Sequence, residues 1–431
     1  MSEKSKIVIE KLNPINNRWL VVIGAILIQL ALGAIYTWGA MSLFATDYLL
    51  IHDISGILTA PGIQPKAVTT FIFGIGVLSF AITMIFAGKM QQKLGPLKVA
   101  ILGGVVIGLG CISSVFTAGS FLGLILTYGV IYGAGIGFAY VCPIACAGKW
   151  FPDKKGLING LAVAGFGAGA SIFAFVIKGI GNIADPPVIF LVLGIIYLIM
   201  IVFGALTLIN PPEGWKPEGW EPPAPSVEEG ITSKDFTRVE MVKTKQFWIM
   251  WVVYILSALP GLMALGAYSA FAKSDATYIV NDTDFLFLCL IITALFNAGG
   301  RIGWGYLADK INYKRTMLLI FVIQAAALFI YFATSGSQIA FLLCTGIIYA
   351  CFGGVLALYP SATTDMFGPK NLSENYGVMF TGYGVAGFTG ASFVTMITLA
   401  LSASGYLALF ILMGILSIIA TILIYLVKPP K

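Results

Sequence analysis

Arg301 and Asn297 are the residues whose types and spacing most suit them to chemistry. They lie in DTDFLFLCLIITALFNAGGRIGWGYLADK, residues 282–310, where the apolar run from Phe285 reads as a membrane-crossing helix. Asp309 marks the far end, eight residues on. At 1.5 Å per residue the guanidinium is expected about 12 Å inside that end. This is near the midplane of a hydrocarbon core about 30 Å thick. A charge there costs at least about 2.5–3.5 kcal/mol on insertion scales, and residues kept at that cost mark substrate or ion pathways. An arginine fork matches a carboxylate with two parallel N–H bonds. The spacing of four puts Asn297 on the same helix face. Its amide is placed to orient the guanidinium or to meet a ligand, but it has no proton to trade. The bland alternative is a structural arginine that snorkels toward the cytoplasm, and about 12 Å is a long reach for one side chain.

The elements that must hold this pair follow from composition. Of 431 residues, 58% are hydrophobic and 10% charged, which excludes a soluble globular protein. The apolar runs are helix-length and do not alternate, which excludes a barrel. An all-α membrane protein of twelve spans is expected: 17–44, 66–88, 97–117, 121–148, 155–179, 185–209, 246–271, 285–307, 314–334, 338–363, 373–402 and 404–427. Of the 25 Lys and Arg residues, 21 fall on the side of the N-terminus, Lys66, Lys178 and Lys273 on the other, and Arg301 within the membrane. This asymmetry puts both termini in the cytoplasm. The polar start, MSEKSKIVIEKLNPINNRW, has no cleavage pattern and reads as a cytoplasmic tail. All 19 acids fall in tails, loops or span ends, so Arg301 is expected to have no ionisable partner at its own depth. The six cysteines all fall within spans. Cys142 and Cys146 are one turn apart with no His or acid beside them, so small packing residues are expected, with no metal, cofactor or disulfide. His52 reads as a solvated loop residue. The net charge of +6 is accounted for by the cytoplasmic loops, and no nucleic-acid partner is expected.

Residues 210–245, opening NPPEGWKPEGWEPPAPS, are polar and Pro-rich and read as a semi-rigid cytoplasmic linker. They separate a six-helix bundle, residues 1–209, from a second, residues 246–431. The two halves resemble each other at one offset of 217 residues. Gly88 matches Gly305, Lys93 matches Lys310, Lys98 matches Arg315, and Pro143 matches Pro360. Gly160, Gly165 and Gly167 match Gly377, Gly382 and Gly384. Parallel repeats that both start from the cytoplasm build the major facilitator fold, with its site at the midplane between halves. At this offset Arg301 faces Met84 and Asn297 faces Phe80, so the cation belongs to one half alone.

GYLADKINYKR, residues 305–315, resembles the signature loop of the major facilitator superfamily, with Asn312 where a glycine is usual. GKMQQKLGPLK, residues 88–98, is its degenerate first copy, with Gln92 in place of the acid. Gly305, Asp309, Lys310 and Arg315 are therefore expected to form a gating motif. Asp309 would pair with a nearby Lys or Arg and with the positive N-terminal end of a neighbouring helix, latching one gating state. The same charges also set topology. KWFPDKKG before span 5, NPPEGWKPEGW in the linker and FNAGGR in span 8 together resemble the oxalate/formate antiporter family, essentially end to end. That family lies close to the monocarboxylate transporters. The resemblance implies a dicarboxylate site with an Arg in span 8, which Arg301 matches, and a Lys in span 11. The Lys position falls on Tyr383, so the second cation is missing. It also implies an aromatic cage, at Tyr36, Tyr140, Phe352 and Phe380, with Leu356 replacing an aromatic. Phe166 is the repeat partner of Tyr383. Each of these aromatics is as well explained by core packing when taken alone.

The resulting expectation is a secondary carrier, monomeric and multi-pass in the inner (cytoplasmic) membrane, for a small monocarboxylate such as lactate, pyruvate or acetate. One carboxylate would meet Arg301. Tyr140, Tyr383 or Asn297 would take a second polar group, and Phe166, Phe352 and Leu356 would enclose the carbon skeleton. A lone cation is neutralised by one monoanion, whereas a dianion leaves excess charge at the midplane. Proton symport is expected from the monocarboxylate relatives, with Asp275, Asp282, Asp284 or the substrate itself carrying the proton. The alternative is oxalate/formate-type anion exchange. An enzyme is disfavoured because no intramembrane acid pair, Ser–His pair or metal cluster is present. A receptor is disfavoured because the linker is too short for an output domain.

Overall fold

Lipid tails are as apolar as leucine, so helices associate in a membrane where small residues let backbones meet. The computed structural model describes residues 17–59, 65–212, 214–221, 234–272, 278–400 and 403–430, and every regular element among them is helical. Eleven helical stretches among the described residues are long and apolar enough to cross a membrane. The remaining span, the eleventh in chain order, comes in two pieces, Leu372–Met379 and Thr381–Ala400, which part at Phe380. Span 1 is also interrupted. Its helices Trp19–Gly33 and Trp38–His52 are joined by a tighter turn, Ala34–Thr37, that carries Tyr36.

The two halves meet along two seams, span 5 against span 8 and span 2 against span 11. Glycines set both. A Cβ on Gly305 would stand 2.3 Å from the Gly156 carbonyl oxygen, and one on Gly88 would stand 2.2 Å from that of Ser373. Gly156 and Ser373 are themselves 217 residues apart. Likewise a Cβ on Gly160 would meet the Arg301 carbonyl oxygen at 2.3 Å, and one on Gly377 the Met84 carbonyl oxygen at 2.5 Å. The sequence repeat is thus also a repeat of contacts, and Arg301 sits in one seam where Met84 sits in the other. Gly299 and Gly303 face open space, whereas Gly300 abuts the Ala350 carbonyl. Gly300 therefore draws span 10 in against span 8.

Polar links close both ends of the first seam. Lys155 pairs with Asp365 across the halves, and Asn159 Nδ2 donates to Ser361 Oγ at 3.1 Å, both toward the cytoplasm. Toward the outside, Ser171 Oγ donates to the Ile291 carbonyl at 3.2 Å, and Lys178 Nζ lies 4.0 Å over the Phe287 ring. The described end of the linker is tied down as well: Phe236 N donates to the Phe367 carbonyl, and Asn371 and Asn375 donate to that of Phe236.

Gly160→Val tests the seam. Two methyl groups would enter a space already filled by backbone, and overpacking of this kind costs about 1–3 kcal/mol. A lowered Tm and loss of transport are expected. Val at Gly299, which meets nothing within 4 Å, is expected to leave both close to wild type.

Candidate functional site

Arg301 is fully buried, at 0% exposure. Its Nε donates to Asn297 Oδ1 at 3.0 Å, and its Nη1 donates to the Val163 carbonyl at 3.0 Å. Asn297 is held in turn, its Nδ2 donating to the Tyr349 carbonyl at 2.9 Å. The four-residue spacing on span 8 thus places an amide that points the guanidinium across the seam at span 5. The guanidinium also lies over the Phe166 ring, 5.4 Å from its centroid. Nη2 is buried and has no protein partner. Among the described residues no carboxylate pairs with Arg301. A buried, uncompensated cation with unused N–H donors has the chemistry to hold an anion.

The aromatics picked out in the sequence form one continuous set around this group. Tyr36 meets Phe166 edge-on at 5.0 Å and Phe352 at 6.2 Å. Tyr140 contacts Phe166 at 5.3 Å and Phe380 at 5.2 Å, and Phe380 contacts Tyr383 at 4.8 Å. Phe352 stacks with Tyr383. Tyr36, Tyr140 and Phe166 come from the first half, and Phe352, Phe380 and Tyr383 from the second, so the set spans the interface. The Tyr36 and Tyr383 hydroxyls are hydrogen-bonded to each other. The position where the resemblance implies a lysine therefore carries a neutral phenol tied across the halves. Leu356 is buried in the same apolar core on span 10. Beside the arginine is a small cavity lined by Tyr36, Gly167, Ala170, Leu290, Ala294 and Asn297, with Tyr349 completing its wall. It is about the size of one water molecule, lies toward the outer end of span 8, and is walled by two tyrosines, Asn297 and small or aliphatic residues.

The loop after span 8 chooses between the partners open to Asp309. Asp309 Oδ1 accepts from Gly156 N and Oδ2 from Leu157 N, both at 2.8 Å, at the N-terminal end of span 5. Its carboxylate caps that helix and forms no ion pair with Lys or Arg among the described residues. The lysine beside it turns elsewhere, Lys310 Nζ lying 5.5 Å from the Tyr306 ring centroid. Arg315 contributes its backbone N–H to Asn312 Oδ1. Asn312 stands at φ 72° and ψ 161° where the superfamily pattern has glycine, a conformation that belongs almost wholly to glycine and strains asparagine. Gly305 forms the seam itself.

The Major Facilitator Superfamily model matches residues 21–391 and again 286–431, between them nearly the whole chain. The chain belongs to the Major Facilitator Superfamily. This superfamily member is 30% identical to an uncharacterized MFS-type transporter of Escherichia coli, over 85% of each chain. It is 28% identical to the oxalate:formate antiporter of Oxalobacter formigenes, over 96% of this chain and 92% of that one. It is 25% identical to apicoplast pyruvate carrier 1 of Toxoplasma gondii, over 88% of this chain and 83% of that one. Among solved structures it shares its fold with the proton:xylose symporter XylE, at a TM-score of 0.68, 14% identity and coverage of 95% and 96%. It is a multi-pass membrane transporter and not an enzyme.

Several contacts in this transporter had no signature in the sequence. The Val163 carbonyl is invisible as a residue type. Ala170, Leu290 and Ala294 look like any other span residues. Asp365, at a span end, is 8% exposed and paired across the halves with Lys155, one of a run of two lysines. Asp282 caps the start of span 8 through Phe285 N and makes no contact with Arg301. Asp284 lies in the first turn of the same helix, and Asp275 lies outside the described residues.

Proposed function

We propose that this chain is a secondary carrier for a small monocarboxylate of the lactate, pyruvate or acetate kind, working by alternating access in the cell's cytoplasmic membrane. The observation that carries the reading is Arg301: a buried guanidinium with Nη2 unpartnered and no acid beside it. One carboxylate neutralises it and engages the remaining N–H groups. The aliphatic wall of Ala170, Leu290 and Ala294 then receives the carbon skeleton. Tyr36 and Tyr383 shut the cage over it. A dianion of oxalate type would bring a second negative charge to a position where Tyr383 supplies only a phenol, which costs several kcal/mol uncompensated. The names of two relatives, a pyruvate carrier and an oxalate:formate antiporter, bracket the choice. Proton symport is part of the proposal. With no acid against Arg301, the proton is carried by the outer acids or by the substrate.

The test is uptake of labelled L-lactate into proteoliposomes, with and without an outside-acid pH gradient, and with oxalate as competitor. Gradient-driven accumulation with little competition by oxalate is the expected result. Oxalate–formate exchange without lactate uptake would replace this reading with antiport, the second reading favoured by the match to the oxalate:formate antiporter along nearly the whole chain.

A further inference from the structure

Three tyrosines meet beside Phe380, at the break in span 11. Tyr140 comes from span 4, Tyr254 from span 7 and Tyr376 from the first piece of span 11. Their ring centroids lie 5.2, 6.1 and 5.7 Å from that of Phe380. The three rings thus close around one side chain. None of the three makes a well-formed hydrogen bond, and each is buried. Leaving one buried hydroxyl without a well-formed bond costs about 1–3 kcal/mol, and these three carry that cost around one ring. Ordinary packing would have used phenylalanine, as it does at Phe80, Phe166 and Phe380 around them. Tyr140 packs edge-on against Phe166, the ring over which the Arg301 guanidinium lies, so the cluster begins beside Arg301. Tyr376 lies one turn nearer the cytoplasmic end of span 11 than Phe380, so the cluster leads away from that site toward the cytoplasm.

We infer that Tyr254 and Tyr376, together with Tyr140, form a second station for the carried carboxylate on the cytoplasmic side of Arg301. This rests on the carrier reading above and extends it to the step of release. Phenols donate hydrogen bonds to carboxylate oxygens without adding charge. Such a station holds the anion more weakly than a guanidinium does, which suits a group that must hand its ligand to water. The three donors come from both halves, so the cluster assembles when the cytoplasmic end is shut and separates as that end opens. Phe380, at the helix break, divides the two stations.

The test uses the full-length carrier in right-side-out and inside-out membrane vesicles, with labelled L-lactate. Tyr376→Phe and Tyr254→Phe are expected to raise the half-saturation concentration at the cytoplasmic face about 10-fold, the effect of one lost hydrogen bond to a charged group, and to leave the outer face within about twofold. The Tm of each variant is expected to be unchanged or higher, because no existing hydrogen bond is removed. Equal shifts at both faces, no shift at either, or a fall in Tm would overturn the assignment. If wild-type vesicles are inert to lactate, the monocarboxylate reading fails. The same one-sided shift is then expected for oxalate–formate exchange, and its absence there overturns the station.

Discussion

Arg301→Lys is expected to reduce transport by about 100-fold or more although the positive charge is kept. The wild-type guanidinium makes two fixed bonds with two of its nitrogens, to Asn297 and to the Val163 carbonyl, and leaves Nη2 for the ligand. A lysine ammonium ends the chain at one nitrogen. If it keeps those two acceptors, it offers at most one donor and no fork; if it turns to the ligand, Asn297 Oδ1 and the Val163 carbonyl lose their donor in a buried site. Hydrogen bonds involving a charged group are worth about 1.5–3 kcal/mol each, and each 1.4 kcal/mol is tenfold. Two such losses give the expected factor. Initial uptake rates in proteoliposomes, normalised to folded protein, are the measurement. Near-normal rates would show that the site reads charge alone and would remove the bidentate picture.

Asp309→Asn is the second large effect, and it acts on conformation and not on binding. The wild-type carboxylate offers one oxygen to each of two adjacent backbone N–H groups, Gly156 and Leu157. An amide keeps one oxygen and sets an NH2 group against the other N–H, donor to donor. The lost bond costs about 1–3 kcal/mol. The lost charge at the helix N-terminus costs about 0.3–1 kcal/mol more. Opening of the cytoplasmic end is then favoured roughly 10-fold or more. A cysteine placed at Ser361, which joins Asn159 across the seam, reports this in a background without native cysteines. Its labelling by a membrane-impermeant maleimide from the cytoplasmic face should accelerate by that factor. An unchanged labelling rate would mean that Asp309 orders the loop without holding the seam shut.

The parts legible in the sequence were those with a long-range period or a steep energetic cost. Span lengths follow from bilayer thickness, and the fixed offset between Gly88 and Gly305 already contained the pairing of seams now seen in the contacts. Arg301 stood out because a charge at that depth is expensive, and Asn297 because a spacing of four leaves it no other face. What could not be read depends on helix rotation and on groups every residue carries. The Val163 carbonyl has no signature, and the cavity wall of Ala170, Leu290 and Ala294 is compositionally ordinary. Asp309 had two kinds of partner open to it, and only the position of span 5 decides for the helix end over a cation. Lys155 and Asp365 are 210 residues apart, and neither marks the other until the halves are docked. Span 11 read as one apolar run, although its helix parts at Phe380.

The seams themselves bear on how such a molecule moves. Where Gly156 lies on Gly305 and Gly88 on Ser373, backbone rests against backbone, with the Asp309 carboxylate beside Gly156. Surfaces of that kind behave as bearings. They allow one bundle to roll on the other while dispersion contact is exchanged smoothly, without rotamers having to be drawn out of sockets and reseated. The barrier to rocking then belongs chiefly to the few polar clasps at either end, and the activation enthalpy of turnover should track those clasps and not the area of the interface.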